Sequence, residues 1–213
     1  MNLHIATLGK EIGHIMSSFK EFKIDKLLLI TSKDFEDKAK EVQKKVGFFN
    51  IITDIVYVNP FHSSSYVEII NGVFKYIKNQ ENKYDLFFNI TGGTNLMSSA
   101  ALTAAQFIGG SAYYVIKGEK KDEFFFVPIV KISLRDSMTE KQKNILNIIY
   151  REIKKNGKIK NLNKFSKDYG LYKQKLRFYI QQFEKLNLIK IDRSDREHSL
   201  ELTETGKLIK QLI

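Results

Sequence analysis

Apolar residues in this chain fall into short continuous runs, separated by stretches in which they recur at helical spacing. Leu3 to Leu8 is the first run, closed by Gly9, and Lys10 to Phe22 reads as the helix behind it. Lys26 to Thr31 (KLLLIT) is apolar almost throughout, the pattern of a strand buried on both faces of a parallel sheet. Phe35, Ala39, Val42 and Val46 then recur at helical spacing behind Ser32 or Asp34, either of which is a suitable cap. Ile51 to Val58 is a third predicted strand, closed by Asn59-Pro60. It leads to a helix over Ser65 to Lys78 with Ile70, Val73, Phe74 and Ile77 on one face. Tyr84 to Ile90 is a fourth strand, followed by a glycine turn and an Ala- and Ser-rich helix over Leu96 to Ile108. Ser111 to Lys117 and Glu123 to Ile132 are two last strands around a hairpin turn at Gly118 to Asp122. With right-handed crossovers, this alternation predicts a Rossmann-like, doubly wound α/β sheet.

The pattern changes at Arg135-Asp136-Ser137-Met138, read as a linker between a first domain over 1–134 and a second over 135–213. Beyond it the chain is mostly helical. Thr139 caps a helix over Glu140 to Lys155 that buries Ile145, Ile148, Ile149 and Ile153, and Gly157 ends it. Asn161 to Tyr169 is a short helix broken by Gly170, and Leu171 to Leu186 is a third with Leu176, Ile180 and Phe183 inward. Two short strands, Leu188 to Arg193 and Ser199 to Thr203, flank Ser194 to His198, and a helix over Glu204 to Leu212 closes the chain. Helix, helix–turn–helix, then a hairpin is the order of a winged helix-turn-helix.

Ligands of a doubly wound sheet sit beyond the carboxyl ends of its strands. Three loops share that rim here: Thr7-Leu8-Gly9-Lys10, Asn59 to His62, and Thr91-Gly92-Gly93-Thr94-Asn95. The last joins a buried strand to a helix. Its glycines permit a sharp turn and close backbone approach, and the helix start offers free N–H groups to an anion. From these residues alone it reads equally as an anion cradle or as an ordinary strand-to-helix turn with Thr94 as cap. Neither G-x-G-x-x-G nor G-x-x-x-x-G-K-[ST] occurs, which argues against an ordinary NAD or ATP site.

Composition narrows the chemistry. There is no cysteine, hence no disulfide framework and no thiolate metal site or nucleophile, and His4, His14, His62 and His198 have no metal-ligand spacing. No metal, cofactor or catalytic residue is expected. With no membrane-length apolar run and no signal-peptide pattern, a cytoplasmic protein without membrane partners is expected. Of the net charge of +11, little lies in the first domain, which to Asp136 has 17 Lys/Arg against 15 Asp/Glu; the remainder has 18 against 9. A small basic domain is the electrostatic footprint of a polyanion binder, and a lysine-rich solvated surface gives the same balance. On the third helix of that domain Tyr172, Lys173, Lys175 and Arg177 are the candidate contacts to double-stranded DNA. Arg193 and Arg196 at the hairpin would meet its backbone or minor groove. A protein-contact role for the same module is the competing reading.

Arg193-Ser194-Asp195-Arg196-Glu197-His198 also fits R-x4-H, which resembles the catalytic motif of HEPN ribonucleases. In this chain it falls in a predicted hairpin tip and not on a helix. The broader resemblance is to the CARF domain, carried by the Rossmann-like order, the Thr7-Leu8-Gly9 loop and the Thr91–Asn95 turn. Joined to a winged helix, with Leu202-Thr203-Glu204-Thr205-Gly206 resembling the L-T-x-x-G that closes many prokaryotic wings, the chain resembles the Csa-three group of CRISPR-associated transcriptional regulators.

That resemblance implies a homodimer that senses a cyclic oligoadenylate second messenger across its two-fold axis, cyclic tetra-adenylate fitting the symmetry most simply. Its implied ligand contacts are Thr7, Leu8, Gly9, Lys10, Asn59, Thr91, Gly92, Gly93, Thr94 and Asn95. Many CARF members carry Lys or Arg where this chain has Asn95, so binding without efficient ring cleavage is expected, with Lys10 or Lys117 supplying the missing charge. The alternatives are a ring nuclease, a HEPN-like ribonuclease, or an adaptor of the type III CRISPR system that binds no DNA.

Overall fold

The computed structural model describes residues 1–62, 64–129, 138–193 and 199–212, the side chains of Gln211 and Leu212 excepted. The chain divides into two compact units, Met1–Ser133 and Leu134–Ile213. The division falls within residues 130–137, and of the linker expected at Arg135 to Met138 only Met138 is among the described residues.

The first unit is built on a six-stranded sheet. Its strands are β1 (Asn2–Thr7), β2 (Lys26–Thr31), β3 (Ile52–Tyr57), β4 (Asp85–Asn89), β5 (Ser111–Ile116) and β6 (Glu123–Phe126), in the order β3-β2-β1-β4-β5-β6. The first five are parallel and β6 is antiparallel to β5. Between them run α1 (Gly13–Glu21), α2 (Glu36–Gly47), α3 (Ser65–Lys78) and α4 (Asn95–Ile108). The continuous apolar runs occupy the centre: Leu3, Ile5, Leu27, Leu28, Leu29 and Ile30 are all buried. One face packs Ala6, Leu27 and Leu29 against Ile15 of α1 and Ala39, Val42 and Val46 of α2. At α4, alanines 100, 101, 104 and 105 are fully buried.

In this unit three differences from the sequence-based expectation go beyond a residue at an element's end. α1 starts at Gly13 and not Lys10, because Leu8 N–H still bonds Ile30 O at 2.8 Å and the chain must cross the rim before it coils. Neither Ser32 nor Asp34 caps α2: a 3-10 turn over Lys33–Phe35 precedes it, without a side-chain cap bond. β6 stops at Phe126, after which Val127 N–H makes one more bond to Ala112 O at 2.9 Å and Pro128 has no N–H to give. The rest of that expected strand, from Val130, lies outside the described residues. α3 and the hairpin between β5 and β6 are where the sequence puts them.

The second unit runs α5 (Glu140–Asn156), α6 (Leu162–Asp168), α7 (Lys173–Lys185), β7 (Ile189–Asp192), β8 (Ser199–Leu202) and α8 (Glu204–Leu212). β7 and β8 pair antiparallel, and Ile159, between α5 and α6, bridges antiparallel to Leu200 of β8. Thr139 and Gln142 form a reciprocal capping box at the start of α5, and Gly157 ends it with φ 77°. Ile145, Leu146, Ile149, Phe165, Leu176, Ile180, Phe183, Leu188, Leu200 and Ile209 form the buried interior. α7 begins two residues later than expected, so Tyr172 stands at its N-cap.

Candidate functional site

The strand order reverses between β1 and β4, and a cleft of about 520 Å³ opens beyond their carboxyl ends. Lys10 and Glu11 of the β1–α1 loop, Gly13 and His14 of α1 and Thr91, Gly92 and Gly93 of the β4–α4 turn line it. Val115 and Lys117 at the end of β5 and Asp122 of the β5–β6 turn complete it.

The glycine turn is held against α1 and β1 with little free space. A Cβ on Gly92 would lie 2.3 Å from His14 Nε2 and 2.6 Å from Thr7 O, and one on Gly9 would lie 3.0 Å from Gly93 N. Gly93 has φ 79°, the left-handed region that a side chain opposes. Asn89, buried at the end of β4, fixes the turn from below. Its Oδ1 accepts from Thr91 N–H at 3.1 Å, and its Nδ2 donates to His14 O at 3.2 Å and to Ser18 Oγ at 3.0 Å. Thr91 Oγ1 accepts from Val115 N–H at 2.8 Å, and Ser98 Oγ donates to Gly92 O at 3.2 Å. The network continues inward: Tyr113 OH donates to Ser18 Oγ at 3.0 Å and sits 3.0 Å from His4 Nδ1. Burial raises the Tyr113 pKa and lowers that of His4 to about 4, the nearby charge of Asp25 opposing the second shift.

His14 differs from these groups. Its carbonyl is bonded by Asn89 and by Ser18 Oγ at 2.9 Å, yet neither ring nitrogen makes a hydrogen bond of ordinary geometry. Burial lowers its pKa to about 4, and Glu11, through its backbone carbonyl and its charge, opposes that fall. The cleft therefore carries two lysine charges, the carboxylates of Glu11 and Asp122 and a neutral imidazole. Asp122 is occupied, accepting from Ser17 Oγ and from Gly118 N–H at 3.4 Å, and these bonds hold its carboxyl below its ordinary value.

Of the ten expected ligand residues, the structure brings Lys10, Thr91, Gly92 and Gly93 into the cleft wall. Thr7, Leu8 and Gly9 are buried beneath it: Leu8 spends its amide on Ile30 O, and its carbonyl accepts from Thr31 Oγ1 at 3.0 Å. Thr94 caps α4, its Oγ1 accepting from Met97 N–H at 3.3 Å, and Asn95 is exposed as the first residue of that helix. Asn59 follows β3, two strands from β1, where its Oδ1 accepts from Phe61 N–H at 3.2 Å. Sequence reasoning missed Glu11, His14 and Asp122. His14 was findable: it is the only ring-nitrogen side chain in the first turn of the helix that follows the β1 loop.

In the second unit Tyr172, Lys173, Lys175 and Arg177 are all exposed, Tyr172 at 78%. Lys173 and Arg177 are four residues apart on one flank of α7, and Lys175 Nζ lies 5.7 Å from the Tyr172 ring centre. Arg193 is already engaged, its two guanidinium nitrogens each 2.8 Å from a carboxylate oxygen of Glu184 on α7. Arg196 and His198 lie outside the described residues. Among those described, no three His, Asp or Glu side chains are placed to hold a metal ion, and no helix is long and apolar enough to cross a membrane.

The family model described as HFX_2341_N:-like, N-terminal matches residues 2–121, more than half of the chain. The chain belongs to this family. No curated protein matches it. Among solved structures, the protein VC1899 from Vibrio cholerae is 10% identical with a TM-score of 0.51 over 99% of this chain and 66% of its own. Enterococcus italicus Csm6, bound to cyclic hexa-2'-fluoro-hexa-dAMP, is 11% identical with a TM-score of 0.52 over 88% of this chain and 56% of its own. Can2 from Sulfobacillus thermosulfidooxidans, in complex with cyclic tetra-adenylate, is 11% identical with a TM-score of 0.46 over 99% and 61%. At such identities the likeness is one of fold, and this chain spans less than two-thirds of the length of each of these proteins.

Proposed function

We propose that this family member is a CARF-type sensor of cyclic oligoadenylate coupled to a winged-helix DNA-binding unit, acting as a homodimer in CRISPR-associated transcriptional regulation. The observation that carries the reading is the cleft at the β1/β4 reversal. There a tight glycine turn, the start of α1 and the charges of Lys10 and Lys117 converge on one space. Exposed backbone at a helix start beside two cations suits a ligand made of phosphates linked in a ring. The fold shared with Csm6, which was bound to a cyclic hexanucleotide analogue, supports the same ligand class.

The DNA-binding half rests on the second unit. The order α5, bridging Ile159, α6, α7 and the β7–β8 hairpin is that of a winged helix, with α7 as the recognition helix. Lys173 and Lys175 are the phosphate contacts and Arg177 the base-reading residue. Arg193, paired with Glu184, stiffens the hairpin against α7 and is not a free contact. A ring bound across the dimer axis would alter the spacing of two such helices, which must match half-sites about 34 Å apart.

The chain binds the ring without opening it efficiently, since Asn95 supplies no cation at the start of α4. Titration of labelled duplex DNA with the full-length protein, with and without cyclic tetra-adenylate, tests the coupling. A ligand-dependent shift in DNA affinity is expected; unchanged affinity despite demonstrated ring binding would remove the regulator reading and leave an adaptor. Intact ring after prolonged incubation is expected, and linear products would favour the ring-nuclease reading.

A further inference from the structure

His14 is the one cleft residue whose attachment is fixed while its functional atoms are unspent. Asn89 and Ser18 bond its carbonyl from within a buried network, so the start of the side chain is held in place. The residue lines the cleft, and its two ring nitrogens are buried beside it without hydrogen bonds of ordinary geometry. Leaving such groups unsatisfied is destabilising, so a fold keeps them only where something else is gained. The opposing backbone is shaped around this ring: any residue larger than glycine at position 92 would drive a Cβ to within 2.3 Å of Nε2. Two uncharged cleft side chains can both donate and accept, and of these the Thr91 hydroxyl already accepts from Val115 N–H while the imidazole has no such bond; Lys10 and Lys117 only donate.

Resting on the sensor reading above, we propose that His14 is a specificity-determining residue of this cleft, its imidazole turning to hydrogen-bond the phosphodiester or ribose oxygens of the bound nucleotide ring. A lysine gives any anion its charge, whereas an imidazole on an anchored backbone has a short reach and selects a ligand with an oxygen within it. An anion seated against the ring also favours the imidazolium, so binding takes up a proton as the solution is acidified. The charged groups lining the cleft with His14 are Lys10 and Glu11 from the β1–α1 loop, and Lys117 and Asp122 from the β5–β6 turn. The β4–α4 turn contributes only Thr91, Gly92 and Gly93. Asp122 is tied to Ser17 and Gly118, which leaves His14 as the group that responds.

The test is calorimetric titration of cyclic tetra-adenylate into the full-length protein, His14→Gln and His14→Phe, at about pH 7.5 and about pH 5.5. At the higher pH His14→Phe should lose at least about tenfold in affinity and His14→Gln, which keeps a donor and an acceptor, about threefold. Unmodified protein should bind more tightly at the lower pH, and both variants should lose that dependence. Should His14→Phe fail to fold, the unmodified protein answers through its imidazole NMR signals. The His14 ring resonances should shift on ligand addition and titrate at higher pH than in free protein, while those of exposed His62 stay put. Binding by the unmodified protein with unchanged variants, or with an unmoved His14 ring, overturns the inference alone. No binding of the ring by unmodified protein overturns the sensor reading and this inference together.

Discussion

The two units hold their polar chemistry in opposite ways. Around the cleft, Asn89, Thr91, Ser98 and Ser18 are bonded to one another or to backbone, while the lysines and His14 keep side-chain donors for a ligand. On α7 the cations stand in solvent, and only Arg193 nearby is committed to a partner. A small ligand with fixed atoms calls for a preorganised site, since each group ordered in advance is one fewer to immobilise on binding. A polyanion that must be scanned and released calls for exposed charges whose attraction salt can tune. Changes at the cleft should therefore act on stability and ligand affinity together, whereas changes on α7 should alter DNA affinity and leave stability nearly untouched.

The sharpest way to break this contrast is Gly92→Ala. Its Cβ has no space between His14 Nε2 and Thr7 O, so a loss of about 2–4 kcal/mol in unfolding free energy is expected by denaturant titration. Combining it with His14→Ala should recover part of that loss, leaving the conflict with Thr7 O; strict additivity would show that the two residues do not meet.

Acid comes next. His4 and His14 have pKa values lowered to about 4 from 6.5 by burial, so between those values the unfolded chain binds protons that the folded one refuses. Stability should thus fall as pH drops from about 6.5 to about 4, by up to roughly 3 kcal/mol per histidine, and level off below. Urea unfolding across this range checks it, and a flat profile would contradict the burial of both rings.

On α7 the expected effects are functional. Lys173→Ala should weaken binding to all duplex sequences about equally and lower the salt-dependence slope by about one, while Arg177→Ala should relax sequence preference, at a cost of about 1–3 kcal/mol on the preferred site. Neither should move the melting temperature appreciably. The smallest effect belongs to Arg193→Ala. Its pairing with Glu184 is exposed, so a destabilisation of at most about 1 kcal/mol is expected, with DNA affinity changed less than by Lys173→Ala.

Much of the fold was legible because periodicity and burial coincide. KLLLIT sits in β2 with every residue after Lys26 buried, and Thr94 and Thr139 cap α4 and α5 as their positions suggest. The order of the strands was not legible: right-handed crossovers decide the face each helix covers, but not that β4 lies beside β1. Less of the site was legible. Nothing in the spacing separates Thr7 and Leu8, which are buried, from Lys10, which is exposed, because that depends on where β1 ends and α1 begins. His14 and Asp122 are far apart in sequence and meet only because β5 and its hairpin fold back beside α1. Arg193 looked available because its partner Glu184 lies on a different element, and no local pattern announces such a pair.

Calorimetric titration of cyclic tetra-adenylate into the full-length protein and into a Lys10→Ala/Lys117→Ala double variant tests the central claim most directly. Saturable binding of one ring per two chains, lost in the double variant while its melting temperature is retained, is the predicted result. Absence of heat with both the tetra- and the hexa-adenylate ring, or full binding by the double variant, would contradict it.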